Sequence, residues 1–178
     1  GLLLTADPFP GTGNAHGPTS YQVISPPAIV TADTVEIGPG VLFNGSVADL
    51  ADSDNVDLSV NRNPFGLQAV VQLDLLAVSP TDTPSSIEFQ YEASIFARGN
   101  ATQTISLFNY DTGAFEAIDA RNAARFGDST VTVMPSGDPS RFVEPGTGNM
   151  EARIRYNSGI ARLQFTVNAD QAFWTIGN

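Results

Sequence analysis

Between Ser86 and Arg98 the chain alternates apolar and polar residues over a whole strand length. Ile87, Phe89, Tyr91, Ala93, Ile95 and Ala97 point one way, and Glu88, Gln90, Glu92, Ser94 and Arg98 the other. Wound as a helix, the six apolar residues would be smeared around the circumference; as an extended strand they form one face. A long strand with one buried face needs a partner layer, so this segment alone requires a sheet packed on something else. The same period recurs from Gln68 to Val78, where Ala69, Val71, Leu73, Leu75 and Ala77 oppose Gln72 and Asp74.

Shorter alternating or β-branched segments follow the same logic. Thr102 to Tyr110 is followed by a turn at Asp111-Thr112-Gly113 and a returning strand from Ala114 to Asp119, which predicts a hairpin. Ser129–Met134, Met150–Tyr156, Ile160–Asn168 and Gln171–Ile176 complete the second half. Tyr21–Ile24, Thr34–Ile37, Val41–Phe43 and Val56–Asn61 are candidates in the first half. Helical signals are confined to one turn at Val47–Asp52 and a helix or loop at Asp119–Phe126. About ten strands with Gly, Pro and Asp turns and no long helices predict an all-β fold. The expected architecture is a two-sheet antiparallel β-sandwich, with the strand lengths favouring a jelly roll over an immunoglobulin fold. Residues 1–20 are dense in Pro and Gly, have no period, and read as an irregular N-terminal arm ahead of a single domain at 21–178.

Composition narrows the function. The chain carries 19 acidic residues against 8 basic ones, all Arg, for a net charge of -11. That balance excludes a phosphate-backbone reader. Zero Cys excludes disulfides, thiol nucleophiles and Cys-ligated zinc. The single His16 lies in the Gly/Pro-rich arm, away from any rigid strand that could orient it as a base. No run reaches the roughly 18 apolar residues of a membrane span. The Gly1-Leu2-Leu3-Leu4 start lacks the length and basic flank of a signal peptide, so an exported protein would be missing its signal here. Abundant Thr, Ser, Asn and Asp with no Lys suit a secreted or cell-surface bacterial protein.

Three groups of residues could carry chemistry. Asp49, Asp52, Asp54 and Asp57 crowd one loop. Hard oxygen ligands so close together suit calcium, the one cofactor the sequence offers, although the spacing is not that of an EF-hand. The competing reading is a polar turn whose Asp side chains cap backbone amides. Glu88 and Glu92 share a strand face about 13 Å apart, too far for a glycosidase pair. Cross-strand pairing with Arg153 and Arg155 is the simpler expectation for them. Phe108 and Tyr110 fall on the outer face with Thr104 and Ser106, and Phe173 is expected to face outward beside an inward Trp174. Outward aromatics of this kind can stack on sugar rings, which makes Phe108, Tyr110 and Phe173 the candidate ligand-binding residues. No nucleophile elbow, Walker loop or zinc-protease motif occurs, so no catalytic residues are expected.

Some longer segments are more distinctive. These are Gly45–Asp54 leading into Asp57-Leu58-Ser59-Val60, Gln103–Gly113, Glu151–Tyr156 and Asn168–Ile176. In this order they resemble a poorly characterised, carbohydrate-binding-like β-sandwich module of secreted and cell-surface bacterial proteins, over about residues 30–178. The resemblance implies no catalytic residues. At Phe115, in the strand after the Asp-Thr-Gly turn, it leads one to expect Trp. Together these readings predict a non-catalytic extracellular module that binds a glycan or surface polymer. The alternative is a structural subunit of a surface layer or fibre that self-associates through residues 1–20 by strand addition.

Overall fold

The computed structural model describes residues 25–160 and 163–178. The predicted arm at 1–20, His16 and the strand at Tyr21–Ile24 therefore lie outside the described residues. Eleven strands run in order: β1 (Ala28–Thr31), β2 (Thr34–Ile37), β3 (Gly40–Asn44), β4 (Leu58–Arg62), β5 (Val70–Val78), β6 (Ser86–Ala97), β7 (Thr102–Asn109), β8 (Ala114–Asn122), β9 (Ser129–Val133), β10 (Asn149–Asn157) and β11 (Phe165–Gly177). Two single turns of 3-10 helix, Val47–Leu50 and Pro139–Phe142, interrupt them.

One sheet has the order β3-β4-β11-β6-β9, with β1 also paired to β11; the other has the order β2-β5-β10-β7-β8. If β4 to β11 are counted as strands one to eight, the sheets read 1-8-3-6 and 2-7-4-5. Apart from the β7–β8 hairpin, each of these strands passes to the opposite sheet from the one before. That is the double Greek key of a jelly roll. β2 and β3 extend its edges beside β5 and β4, and β1 pairs with the C-terminal half of β11 beyond the end of β4.

The core follows the period that the sequence displays. Ile87, Phe89, Tyr91, Ala93, Ile95 and Ala97 of β6 are all buried, as are Val71, Leu73, Leu75 and Ala77 of β5. Trp174 is 1% exposed and packs on Phe89, with ring centroids 4.8 Å apart. A polar clasp crosses between the sheets: Tyr156 of β10 donates to the Tyr91 hydroxyl of β6 at 3.2 Å, and Gln103 donates to Tyr156 at 2.9 Å. Burial holds both phenols above their ordinary pKa, so they stay neutral donors and acceptors. Arg62 is also buried, with its guanidinium donating to the carbonyls of Pro64, Gly66 and Gln68. Those carbonyls take the place of the carboxylate that a buried guanidinium otherwise needs, and the bonds pin that loop.

The differences from the sequence reading are local. Ile160–Asn168 and Gln171–Ile176 belong largely to one strand, β11. The Asn-Ala-Asp between them is a β-bulge, where the register against β6 slips between Ala169 and Gln171. The extra residue, Asp170, is buried there. Of the stretch expected as a helix or loop, residues 119–122 continue β8, because the β7 pairing partners run on to Thr102 and satisfy their backbone groups, and no helix follows. Glu88 and Glu92 do not meet Arg153 and Arg155, because β6 and β10 lie in different sheets. Arg153 pairs instead with Asp74 of β5, its direct cross-strand neighbour.

Candidate functional site

The outer face of the β10 sheet carries a groove of about 710 Å³. Its floor comes from β7 and β10. Thr102, Thr104 and Ser106 point outward because Gln103, Ile105 and Leu107 point into the core. Arg153, Arg155 and Asn157 point outward by the same alternation with Ala152, Ile154 and Tyr156. Asn122 of β8 and the Asn100 and Ser158 loops close one end, and Phe115 closes the other. Phe115 pairs with Phe108, so from Phe108 to Thr102 the face runs for about 20 Å along the strands.

The Phe115 end is a rigid aromatic cluster. Phe108 meets Tyr110 and Phe115 edge to face, with centroids 4.9 and 5.1 Å apart. The Arg153 guanidinium lies 3.8 Å from the centre of the Phe115 ring. It is fixed there by two 2.8 Å bonds to the Asp74 carboxylate, which also accepts from the Gln72 amide at 3.0 Å. Stacking and a bidentate pair together hold the guanidinium plane in one orientation.

The hairpin turn beside this cluster is built on Asn109. Its side-chain oxygen accepts from the backbone N–H groups of Asp111 and Thr112 at 3.0 and 3.2 Å, and its amide donates to Glu116 at 3.0 Å. Gly113 sits at φ +66, the left-handed conformation that completes the turn. Arg141 donates to Glu116 as well, and this guanidinium, followed by the Asn109 amide, holds the Glu116 carboxyl below its ordinary pKa. The Tyr110 hydroxyl is buried with no hydrogen-bond partner; burial and then the Glu151 carboxylate push its phenol pKa up. Glu151 is itself raised, first by burial and then by Asp74.

Of the predicted ligand-binding residues, Phe108 and Tyr110 are brought together here and Phe173 is not. Phe173 faces outward as expected, but on the opposite sheet, since β11 and β7 never share one. Phe115 and the arginines of β10 complete the site. The Asp-Thr-Gly turn sets Phe115 opposite Phe108 in a hairpin, which is the available sequence signal for it. The polar alternation of β10 marks Arg153 and Arg155 only as solvent-facing.

The four aspartates of the 49–57 loop are not gathered into a ligand set. Asp49 accepts the Ser46 N–H at 2.7 Å in a capping box of the Val47–Leu50 turn, and Asp54 accepts the Val56 N–H at 3.0 Å. Asp52 is exposed. Among the described residues no group of three or more His, Cys, Asp or Glu is placed to hold a metal ion. The short side chains satisfy local amides first, which is the turn reading of this loop.

Asp57 behaves differently. It immediately precedes Leu58, whose partner is Ala169, so one further step along the register leads to Asp170. One carboxylate oxygen of each is buried with no hydrogen-bond partner. Burial, then Asp128 and Asp170, raise the Asp57 pKa. A carboxyl with a raised folded pKa binds its proton more tightly in the native state, so it costs stability as pH rises past the unfolded value. Asp57→Asn should therefore melt above wild type at pH 7 in chelator-containing buffer, with the gap closing below about pH 4, the ordinary range for an aspartate. Thermal melts across that range check this; a lower melting point at pH 7 would contradict it.

A second recess, about 890 Å³, lies on the opposite sheet beside Phe96, Phe126 and Leu163. Part of its polar lining is engaged, while Arg98 and Gln164 make no side-chain hydrogen bond among the described residues. Thr166 donates to Asn61 at 2.6 Å, and Arg125 donates to the Ala97 carbonyl at 2.9 Å. In the first groove, Thr104, Ser106, Asn122 and Arg155 make no side-chain hydrogen bond among the described residues, and all but Asn122 lie on its floor. The first groove has the greater number of open donors and acceptors, set on a strand floor beside a fixed aromatic end, and is the better candidate for a polar ligand.

No protein-family model and no curated protein matches the chain. Solved structures that it resembles include a CBM29-2 variant complexed with cellulohexaose, at a TM-score of 0.49 and 7% identity, covering 85% of this chain and 93% of that one. A structure described as CBM4 matches with a TM-score of 0.44 and 16% identity, over 78% of this chain and 94% of the other. The CBM36-1 domain of a multidomain xylanase from the hindgut metagenome of Trinervitermes trinervoides matches at 0.44 and 12%, over 85% and 97% respectively.

Proposed function

We propose that this domain is a non-catalytic carbohydrate-binding module whose ligand lies along the outer face of the β10 sheet. The observation that carries the reading is the pairing, in one groove, of a fixed aromatic end with a floor of uncommitted polar groups. A sugar ring offers apolar C–H faces to Phe115 and Phe108 and hydroxyls to Thr104, Ser106, Asn122 and Asn157. The stacked Arg153 is already ordered, so little side-chain entropy is lost on binding there. The twelve residues lining the groove include no carboxylate and no imidazole, the groups that glycoside hydrolysis would need. This supports binding without cleavage. Structural polysaccharides are laid down outside cells, and an extracellular location follows if one of them is the ligand. The reading that makes it a self-assembling subunit attaches to residues 1–20, and no observation on the described residues favours it.

Affinity electrophoresis through gels containing hydroxyethyl cellulose, xylan, galactomannan or polygalacturonate tests the proposal. Retarded migration in at least one gel is expected, with no release of reducing sugar. Free migration in all four would count against it.

A further inference from the structure

Resting on the saccharide reading above, we infer that the groove prefers acidic saccharides, with the Arg155 guanidinium receiving the charged group. The chain as a whole is strongly acidic, at net charge -11, yet the groove lining holds two arginines and no aspartate or glutamate. The two arginines differ in kind. Arg153 is matched by Asp74 in a bidentate pair, so it offers a planar face and little net charge. Arg155 lies two residues further along β10 on the same face, about 7 Å away. It is exposed and makes no ion pair or side-chain hydrogen bond among the described residues. Its cross-strand neighbours, Gln72 on β5 and Thr104 on β7, are neutral.

Most of the other arginines among the described residues are engaged; Arg98, in the recess of the opposite sheet, is the other one with no side-chain partner. Arg62 is buried on three carbonyls, Arg121 pairs with Asp119, Arg141 with Glu116, and Arg125 is tied to the Ala97 carbonyl. With more than two carboxylates for each arginine, a guanidinium left without one inside a groove is an anion acceptor by position. The planar fork suits a carboxylate or a sulfate ester, both of which occur on sugar rings. The distance from the aromatic end lets one saccharide chain stack on Phe115 and present its charged substituent to Arg155. Non-specific capture of a polyanion does not explain such binding, because the rest of the surface repels it.

Two polymer pairs separate the sources of charge: polygalacturonate against its carboxyl-reduced form, and dextran sulfate against dextran. Affinity electrophoresis should show at least tenfold tighter binding to one charged member than to its neutral counterpart. Arg155→Gln, with an unchanged melting temperature, should bring that ratio below about threefold. A wild-type ratio under fivefold for both pairs, or one that the substitution leaves intact, overturns the acid preference. In that case retention by the neutral polymers would leave the saccharide reading standing. Retention by none of the four also overturns the preference, and the broader panel above then decides the saccharide reading separately.

Discussion

Trp174→Ala should remove about 3–5 kcal/mol of stability, the usual cost of a large aromatic truncated in a closed core. Trp174 is the only Trp, is 1% exposed, and sits in β11 between Ala172 and Ile176. β11 pairs with β1, β4 and β6, so a cavity there loosens the strand that holds one whole sheet together. Single domains typically have only about 5–15 kcal/mol to lose, so the variant should be marginal at 37 °C. For a chain of this size the melting point should fall by roughly 10–15 °C. Far-UV circular dichroism in a urea titration is the suitable readout, because the substitution removes the fluorophore. A loss below about 1 kcal/mol would mean that the Phe89–Trp174 contact is not central to the core.

The second large effect concerns binding and should leave the fold alone. Phe115→Ala removes the ring on which Arg153 stacks and against which Phe108 packs. Central aromatic anchors commonly account for about 2 kcal/mol or more of a binding free energy, so affinity for any retained polysaccharide should drop at least about 20-fold. Phe115 is only half-buried and lies on β8, the edge of its sheet, so the melting point should move little. Phe115→Trp, with a larger face, should bind at least as well as wild type. Titration calorimetry with the retained polymer distinguishes these outcomes. Equal affinity of the alanine variant would remove the aromatic end from the site.

The layers of the fold are legible in the sequence because burial alternates along nearly every strand. β5 and β6 read directly from side-chain order, and the same order sets Trp174 inward and Phe173 outward. Sheet membership is not legible in the same way. Alternation says that a residue faces out, but only the crossovers between sheets say which outside it faces. For that reason side-chain order alone groups Phe173 with Phe108 and Tyr110, and Glu88 and Glu92 with Arg153 and Arg155. β11 reads as two strands because Asn168-Ala169-Asp170 has turn chemistry, while pairing on both sides holds it extended and absorbs the extra residue as a bulge. The candidate site is half legible. Its aromatic end follows from the Asp111-Thr112-Gly113 turn and hairpin register. Its arginines take on meaning only through their partners in the fold, one bound to Asp74 and the other unengaged.

A saccharide lying along the outer face of the β10 sheet would change the surroundings of the backbone amides beneath it. The most direct measurement is a two-dimensional amide NMR titration with cellohexaose, xylohexaose, mannohexaose and oligogalacturonate. Shifts are expected with at least one of them, clustered at Thr102–Ser106, Phe115 and Arg153–Asn157. Shifts centred on Phe96, Arg98, Phe126 and Thr166 of the opposite sheet, or no shifts with any of the four, would contradict that placement.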